Sequence, residues 1–382
     1  GYFYSMQGVV SIFMPAVIGI VADRWIPAQK MLGICHLVAA VFMILTAWYG
    51  ATAEGGVDFA TIFSLYSLSV AFYMPTIALS NSVAYTALRQ AGMDTVKDFP
   101  PIRVFGTVGF ILTMWFVDIM GFQTNHWQFV TSAVIGIVLF LYSFTLPQCP
   151  VAKGDEHRSL SEAFGLQAFT LFRQKQMALF FIFSMLLGIS LQITNGYANP
   201  FISSFASEPE FADTFGVQHA NILISLSQII ETLCILLIPF CMKRFGIKNV
   251  MLISMLAWVL RFGLFSVGDP GSGVWMFILS MIVYGVAFDF FNVSGSLFVD
   301  QNTAPEIRSS AQGLFMLMTN GIGGTIGVIA AQQIINAYTH GMKIGDQFYT
   351  VGEWSTCWFI FSAYALVVGL VFALVFHPQK LK

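Results

Sequence analysis

The sequence predicts an all-α polytopic membrane protein. Of its 382 residues, 57% are hydrophobic and only 9% are charged, whereas an ordinary soluble domain has roughly 25% charged residues. The mean hydropathy is +0.76, and apolar runs of about 20 residues, the length that crosses a bilayer as a helix, recur along the chain. The formal net charge of −2 is too balanced for a nucleic-acid-binding protein. These observations exclude a cytosolic enzyme, a disordered chain and a secreted disulfide scaffold.

Eleven membrane-spanning helices are expected. The apolar runs do not fit a membrane β-barrel, whose strands would be about 10 residues long and would alternate strictly. The chain starts at Gly1 in the polar lead-in to a span, so we expect that a first helix is missing and that eleven spans are twelve less one. In chain order the predicted spans cover residues 5–22, 31–50, 59–88, 103–121, 127–147, 177–204, 218–242, 249–267, 274–299, 308–337 and 353–376.

The distribution of basic residues predicts the orientation, since cytoplasmic loops of membrane proteins carry an excess of Lys and Arg. Lys343 is alone on the opposite side, and Arg103 and Arg261 lie within or at the ends of spans. We therefore place segment 23–30, loop 148–176 and the C-terminus in the cytoplasm of a bacterial cell, with the protein in its inner membrane. The basic residues on the cytoplasmic side are Arg24, Lys30, Arg89, Lys97, Lys153, Arg158, Arg173, Lys175, Lys243, Arg244, Lys248, Arg308, Lys380 and Lys382.

Two short sequence patterns recur and divide the chain into related halves. The loop at 19–30 has a degenerate echo at 242–248, and the pattern at 102–106 returns at 307–313. We expect an N-terminal helical half at 1–147 without its first helix, a cytoplasmic linker at 148–176 and a C-terminal helical half at 177–382. Duplicated bundles with a substrate site near the bilayer midplane are common among secondary transporters.

Three charged residues inside or at the edge of the membrane need a partner. Glu231 and Asp289 lie in the middle of spans, and Arg103 opens the span at 103–121 directly after Phe99-Pro100-Pro101, which we expect to break the helix. A charge at the bilayer centre costs at least about 2.5–3.5 kcal/mol, so such groups usually face a cavity and mark a functional site. The alternatives are a buried ion pair that only locks helices together and, for Arg103, an ordinary interfacial charge.

Helical spacing places these charges on stripes with amides and aromatic rings, which together predict a polar cavity. Aromatic rings stack on nucleobases with about 1–3 kcal/mol per base, and amides both donate and accept hydrogen bonds. A phosphorylated substrate would need clustered Arg or Lys, so a neutral substrate is favoured. The alternative for each aromatic residue is an ordinary position in the hydrophobic core, without a substrate contact. The stripes are Arg103, Thr107 and Phe110; Gln192, Asn195 and Asn199; Gln228 and Glu231; and Tyr284, Phe288, Asp289 and Asn292.

The five cysteines form no CxxC pair and the six histidines form no HExxH motif. We expect no metal site, no disulfide framework and no cofactor. No GxSxG, HxxxxD or DDxxD-like run is present either, so a membrane-embedded enzyme acting on lipid is disfavoured. The loop at 149–176 is too short to hold a folded signalling domain, which argues against a receptor.

Longer strings resemble a known family. The loop GIVADRWIPAQK at 19–30 is similar to the signature after the second helix of the major facilitator superfamily. From about Val9 to Phe376 the chain resembles, in order, the nucleoside:proton symporter (nucleoside permease) family of that superfamily. The strings that carry this resemblance include FMPA at 13–16, FYMPT at 72–76, DFPPIR at 98–103, LQITN at 191–195, RFGIKNVM at 244–251, AWVLRF at 257–262 and SMIVYGVAFDFFN at 280–292.

The resemblance implies a major facilitator fold of two six-helix halves, with eleven of the twelve transmembrane helices present. It also implies proton-coupled import of purine or pyrimidine nucleosides by alternating access. The matching positions place Arg103, Thr107, Phe110, Gln192, Asn195, Gln228, Glu231, Tyr284, Phe288 and Asp289 around the nucleoside.

Glu231 and Asp289 are the candidates for proton coupling, because each is an ionisable group inside a span, and Arg103 is a possible counter-charge from the other half. Gly19, Asp23 and Arg24 match the conformational motif of the superfamily, although ordinary loop charges would look the same. The implied partners are the nucleoside, the proton and membrane lipid, with no nucleic acid, and the family's fold generally works as a monomer. The alternative that stays open is a proton-coupled transporter of another neutral solute such as a sugar or polyol.

Overall fold

Helices account for most of the described residues, which are 2–53, 56–93, 95–149, 166–303 and 308–377 of the computed structural model. A helix satisfies its own backbone hydrogen bonds, and for that reason helices can cross hydrocarbon. The chain divides into two compact units, an N-terminal unit at Tyr2–Leu166 and a C-terminal unit at Gln167–Lys382.

Five helices make up the described part of the N-terminal unit. Helix α2 packs against α3 and α5, and α1 packs against α3. Small residues allow this close approach, since a Cβ on Gly33 would overlap the Ser143 hydroxyl and one on Gly136 would lie 3.0 Å from Ala40 Cβ. The helices are α1 Tyr2–Arg24, α2 Ala28–Thr52, α3 Phe59–Gln90, α4 Thr95–Ile119 and α5 Trp127–Ser143.

A short 3-10 helix, Leu166–Arg173, leads into the C-terminal unit, which ends with α12. A further 3-10 turn at Phe205–Ser207 follows α6, and a π-helical segment at Leu317–Gly323 joins α10 to α11. The helices are α6 Lys175–Ser204, α7 Phe215–Gln218, α8 Ala220–Val267, α9 Val274–Gln301, α10 Arg308–Met316, α11 Gly324–Tyr338 and α12 Trp354–Val375.

Helix α8 contains two of the predicted spans and is interrupted at Gly246. Its backbone there has φ +76°, a conformation that residues with a Cβ rarely adopt. The two arms, one before and one after Gly246, both pack within the C-terminal unit, where α8 contacts α9 and α12 most extensively.

Aromatic side chains dominate the core of the C-terminal unit. Phe201 packs against Phe265, Phe277, Trp354 and Trp358 with ring centroids between 5.4 and 5.6 Å apart. These rings are nearly or completely buried, and such pairs add about 0.5–1.5 kcal/mol beyond area burial. They fix the second arm of α8 against α6, α9 and α12.

Two features differ from the expectations above. The predicted break at Phe99-Pro100-Pro101 is wrong, because α4 begins at Thr95 and continues through these positions. Proline fixes φ near −65°, a helical value, so a helix can continue past it, although the missing N–H and the ring disturb the preceding turn.

The second difference is a β-hairpin between α11 and α12, where only a connection was expected. Strands β1 Thr339–Ile344 and β2 Gln347–Gly352 pair antiparallel around a two-residue turn at Gly345, whose φ is +61°. The strands are too short to register in a search for apolar runs of about 20 residues.

Seven helical segments of the described residues are long and apolar enough to cross a membrane. Three shorter apolar helices accompany them, at Val104–Ile119, Trp127–Ser143 and Ala220–Cys234. The seven are Ala28–Thr52, Phe59–Gln90, Lys175–Ser207, Lys243–Val267, Val274–Ser296, Gly313–Tyr338 and Trp354–Val375. The prediction of an all-α polytopic membrane protein is confirmed.

Candidate functional site

Helix α9 carries three predicted site residues on nearly one face. Tyr284 and Asp289 are each only 3% exposed, and Phe288 is half-buried. The rings of Tyr284 and Phe288 stack with centroids 6.0 Å apart and planes 21° apart. Trp258 meets Tyr284 edge-on at 6.0 Å. Tyr284 is therefore held on several sides, and Phe288 is the more accessible of the two stacked rings.

The first arm of α8 brings two further predicted residues to this face. A Cβ on Gly285 would lie 3.0 Å from the backbone nitrogen of Glu231 and 2.8 Å from Cys234 Sγ, so the two helices touch here. The Gln228 side chain lies near the Tyr284 hydroxyl, and Glu231 and Asp289 lie close enough to act electrostatically on it. We call Gln228, Glu231, Tyr284, Phe288 and Asp289 the Tyr284 cluster.

Helix α6 supplies the predicted amides. Gln192 is half-buried and lies over Gly324, where a Cβ would come within 3.1 Å of Gln192 Cγ. Asn195 is exposed. The small residue at 324 leaves the space that the Gln192 side chain uses, which fixes the direction of that amide.

A small cavity of about 30 Å³ separates α6, α9 and the π-helical segment. It has room for about one or two water molecules, whereas sites for small molecules measure roughly 300–1,000 Å³. Its polar lining comes from Asn292, Thr319 and Asn320. The remaining lining residues are Leu187, Gly188, Leu191, Trp258, Ala287, Phe288 and Phe291. Phe288 thus belongs both to this cavity and to the Tyr284 cluster, and so connects the cluster to α6.

The other predicted substrate residues lie on α4 in the N-terminal unit. Thr107 is half-buried and Phe110 is 54% exposed, while the side chain of Arg103 is outside the described part of the structure. Among described residues, nothing lies within 4 Å of a Cβ placed on Gly106 or Gly109, so this stretch of α4 has open space beside it. A substrate contact by these residues stays a prediction.

The predicted conformational motif lies at the end of α1. Gly19, Asp23 and Arg24 belong to that helix, but their side chains are outside the described part. Their role stays a prediction as well.

Sequence reasoning missed one residue at the cluster. Arg261, which the sequence analysis places only within or at the end of a span, is 1% exposed, and its guanidinium carbon lies 4.7 Å from the Tyr284 ring centroid. The available signal was a basic residue inside a span. The helical period of α8 alone does not tell which neighbouring helix that residue meets.

Among the residues that the structure describes, no group of three or more His, Cys, Asp or Glu side chains could hold a metal ion. The five cysteines are free thiols, of which four are buried. What the arrangement offers chemically is acid–base, amide and aromatic groups at membrane depth.

This helical membrane protein has paired carboxylates, amides and aromatic rings between its spans. That combination is typical of a secondary transporter. A family model described as "Nucleoside H+ symporter" matches residues 1–381, and the chain belongs to that family. Its members are transporters and not enzymes.

Characterised relatives support the assignment. The nucleoside permease NupG of Escherichia coli (strain K12) is 47% identical over 383 residues, which cover 100% of this chain and 88% of the relative. The xanthosine permease of the same organism is 46% identical over 388 residues, covering 100% and 89%.

Solved structures agree on the fold. A crystal structure of the nucleoside transporter NupG matches with a TM-score of 0.86 at 46% identity, covering 99% of this chain and 90% of that one. An inward-open structure of the xylose transporter XylE from E. coli matches with a TM-score of 0.63 at 13% identity, covering 99% and 86%. The second match shows a shared fold alone.

Proposed function

We propose that this chain imports nucleosides together with protons by alternating access, with the Tyr284 cluster as the C-terminal part of its substrate site. The observation that carries the proposal is the close packing of α8 on α9 at Gly285, which joins Gln228 and Glu231 to Tyr284, Phe288 and Asp289. Buried polar groups at this depth lack water partners, so they serve other helices or a ligand.

The cluster has the chemistry to recognise a nucleoside. The half-buried ring of Phe288 offers an apolar face for the base, and the Gln228, Gln192 and Asn195 amides can match donors and acceptors on its edge. Carboxylates accept hydrogen bonds from ribose hydroxyls. Tyr284 contributes through its hydroxyl, because its ring is already covered by Phe288 and Arg261.

Proton coupling falls to Glu231 and Asp289. A carboxyl that is protonated as the substrate binds from outside and deprotonated toward the cytoplasm ties the two movements together. Either acid has the required position at the cluster, and Arg103 is our candidate for a counter-charge from the N-terminal half.

The N-terminal half contributes Arg103, Thr107 and Phe110 to substrate binding in this proposal. Gly19, Asp23 and Arg24 stabilise one conformation of the transport cycle through contacts between helix ends. The domain plan follows the repeat, with halves at 1–147 and 177–382 and a cytoplasmic linker at 148–176.

The protein works as a monomer in the inner membrane of a bacterium, with its C-terminus in the cytoplasm. The charge distribution of the loops supports this orientation, since fourteen basic residues fall on the cytoplasmic side against Lys343 on the other. Its partners are the nucleoside, the proton and membrane lipid, and no nucleic acid takes part.

Equilibrium binding of labelled uridine to the purified protein tests the substrate class. Unlabelled adenosine is expected to displace uridine, whereas xylose and sorbitol are not. Displacement by the sugar or the polyol, with none by adenosine, would overturn the proposal in favour of another neutral solute.

A matched pair of variants tests the site. Phe288→Leu is expected to raise the Kd of uridine about tenfold, since base stacking contributes about 1–3 kcal/mol. Phe298→Leu makes the same change on the same helix at a core position that is 2% exposed, so it should leave the Kd within about twofold. Equal effects of the two variants would contradict a base contact by Phe288.

A further inference from the structure

Arg261 is a buried cation in the second arm of α8. Its side chain is 1% exposed, and it lies within the span Lys243–Val267. A guanidinium at membrane depth is costly unless its donors are satisfied. The contacts of the Arg261 guanidinium therefore indicate the role of this residue.

The guanidinium donates hydrogen bonds to two of the helices that carry predicted substrate residues, α6 and α9. Its Nε donates to the Thr194 hydroxyl at 3.2 Å, and Nη1 donates to the Ser280 carbonyl at 2.7 Å. The Ser280 hydroxyl in turn donates to the Arg261 carbonyl at 3.0 Å. Thr194 directly precedes Asn195 on α6, and Ser280 lies one helical turn before Tyr284 on α9.

Two aromatic rings flank the same cation. The guanidinium carbon lies 4.7 Å from the Tyr284 centroid and 4.9 Å from the Phe265 centroid. Phe265 is completely buried in the aromatic core and is absent from the Tyr284 cluster. Tyr284 also stacks on Phe288, and the Gln228 side chain lies near its hydroxyl.

The first arm of α8 is connected to the same point. Ser227 donates to Met281 Sδ at 3.0 Å, and Arg261 Nη1 approaches that sulfur at 3.7 Å. Ser227 directly precedes Gln228. One side chain thus has contacts that lead to all three helical segments of the predicted C-terminal site.

We propose that Arg261 is a positioning residue for nucleoside binding, which sets Tyr284 and the α6 stripe in place without touching the substrate. The proposal rests on the nucleoside function proposed above. The planar fork of arginine explains the choice of residue, because it donates in two directions while stacking on a ring, which a lysine ammonium does not do.

The test measures the Kd of uridine and the thermal stability of each variant in the full chain. Arg261→Gln removes the cation from Tyr284 and is expected to raise the Kd about tenfold, in keeping with a desolvated cation–π contact. Arg261→Lys keeps the charge and loses the fork, so its Kd should fall between those of Arg261→Gln and the wild type.

Phe265→Leu is the matched control, because it removes the other ring from the cation and loosens the core. It is expected to lower the thermal stability while the Kd stays within about twofold. A role that is only structural would make Phe265→Leu and Arg261→Gln affect the Kd alike, and that result would overturn the proposal.

A double-mutant cycle asks whether Arg261 acts through Tyr284. In a Tyr284→Leu background, Arg261→Gln is expected to raise the Kd less than twofold, since coupled residues are non-additive. A full tenfold increase in that background would overturn the proposal.

If Arg261→Gln does not fold, Thr194→Val removes one acceptor and should raise the Kd about threefold, and an unchanged Kd would overturn the proposal. Failure of the wild type itself to bind uridine would reject the proposed function and this inference together.

Discussion

Gly285 lies directly against Glu231. A methyl group on Gly285 would come within 3.0 Å of the Glu231 backbone nitrogen and 3.1 Å of its Cα. The contact puts the backbone of Glu231 on α8 against Gly285 of α9, the residue that follows Tyr284. Only a residue without a side chain permits this approach, so the geometry of the Tyr284 cluster depends on position 285.

Gly285→Ala should therefore disturb binding as well as packing. Overpacking of this kind costs about 1–3 kcal/mol, and separation of α8 from α9 is expected to raise the Kd of uridine at least fivefold. Gly263→Ala is the matched control in α8, because its methyl would sit 3.6 Å from the Ser362 hydroxyl, an ordinary contact. A normal Kd for Gly285→Ala would show that the helix crossing does not shape the site.

A second close approach joins α6 to the π-helical segment. A Cβ on Gly188 would overlap the Thr319 carbonyl oxygen. Gly188→Ala is expected to lower the free energy of unfolding by about 1–3 kcal/mol. The measurement is the melting temperature in detergent, which should fall.

Gly313→Ala provides the comparison in the neighbouring helix α10. No described atom lies within 4 Å of its Cβ position, and alanine is favoured over glycine in a helix by about 0.5–1 kcal/mol. We expect a small stabilisation. A loss of stability in Gly313→Ala as large as in Gly188→Ala would contradict the packing argument.

The two carboxylates of the cluster separate coupling from binding. Asp289→Asn or Glu231→Gln imitates a protonated acid, so the variant that removes the coupling group should still exchange uridine across the membrane but lose accumulation. We expect the accumulation ratio of at least one variant to fall to the equilibrium value of about one.

Asp118→Asn is the control for this experiment. Asp118 is buried in the N-terminal unit, where its carboxylate accepts a hydrogen bond from Gln123. Accumulation should be retained in this variant. Full accumulation in both cluster variants would place the proton site elsewhere.

Asp58 outside the membrane gives a pH-dependent contribution to stability. Its carboxylate caps α3 and accepts hydrogen bonds from the Thr61 hydroxyl at 2.7 Å and the Thr61 backbone N–H at 2.8 Å. These bonds lower the pKa of Asp58 below its ordinary value. The stabilisation is therefore complete above the unfolded-state pKa of about 3.9 and disappears as the pH falls through the lower folded-state pKa.

Melting temperatures of wild type and Asp58→Ala test this cap. The wild type should melt higher at pH 7, and the difference should shrink as the pH drops below about 3.9. Asp58→Asn keeps an acceptor oxygen without a titratable charge, so it should differ from Asp58→Ala by the same amount at all pH values. A wild-type advantage that grows on acidification would contradict the assignment.

The sequence anticipates the helices better than their contacts. Each predicted span falls largely within observed helical segments, because a bilayer requires long apolar runs that are visible without a structure. The hairpin around Gly345 escapes that search, and the helix through Pro100 shows that a proline pair need not end a helix.

For the candidate site, too, the sequence predicts positions along a helix better than contacts between helices. Helical period places Tyr284, Phe288 and Asp289 on nearly one face from sequence alone. It says nothing about which helix lies opposite, so neither the crossing at Gly285 nor the guanidinium of Arg261 over Tyr284 could be predicted. Such pairings depend on tertiary packing between residues far apart in the chain.

Uptake of labelled uridine into proteoliposomes under an imposed inward proton gradient tests the central claim most directly. The account predicts accumulation above the external concentration, which collapses when a protonophore is added. Uptake that reaches only equilibrium, at the same rate with and without the gradient, would contradict proton coupling, and an absence of uptake by folded protein would contradict the nucleoside function itself.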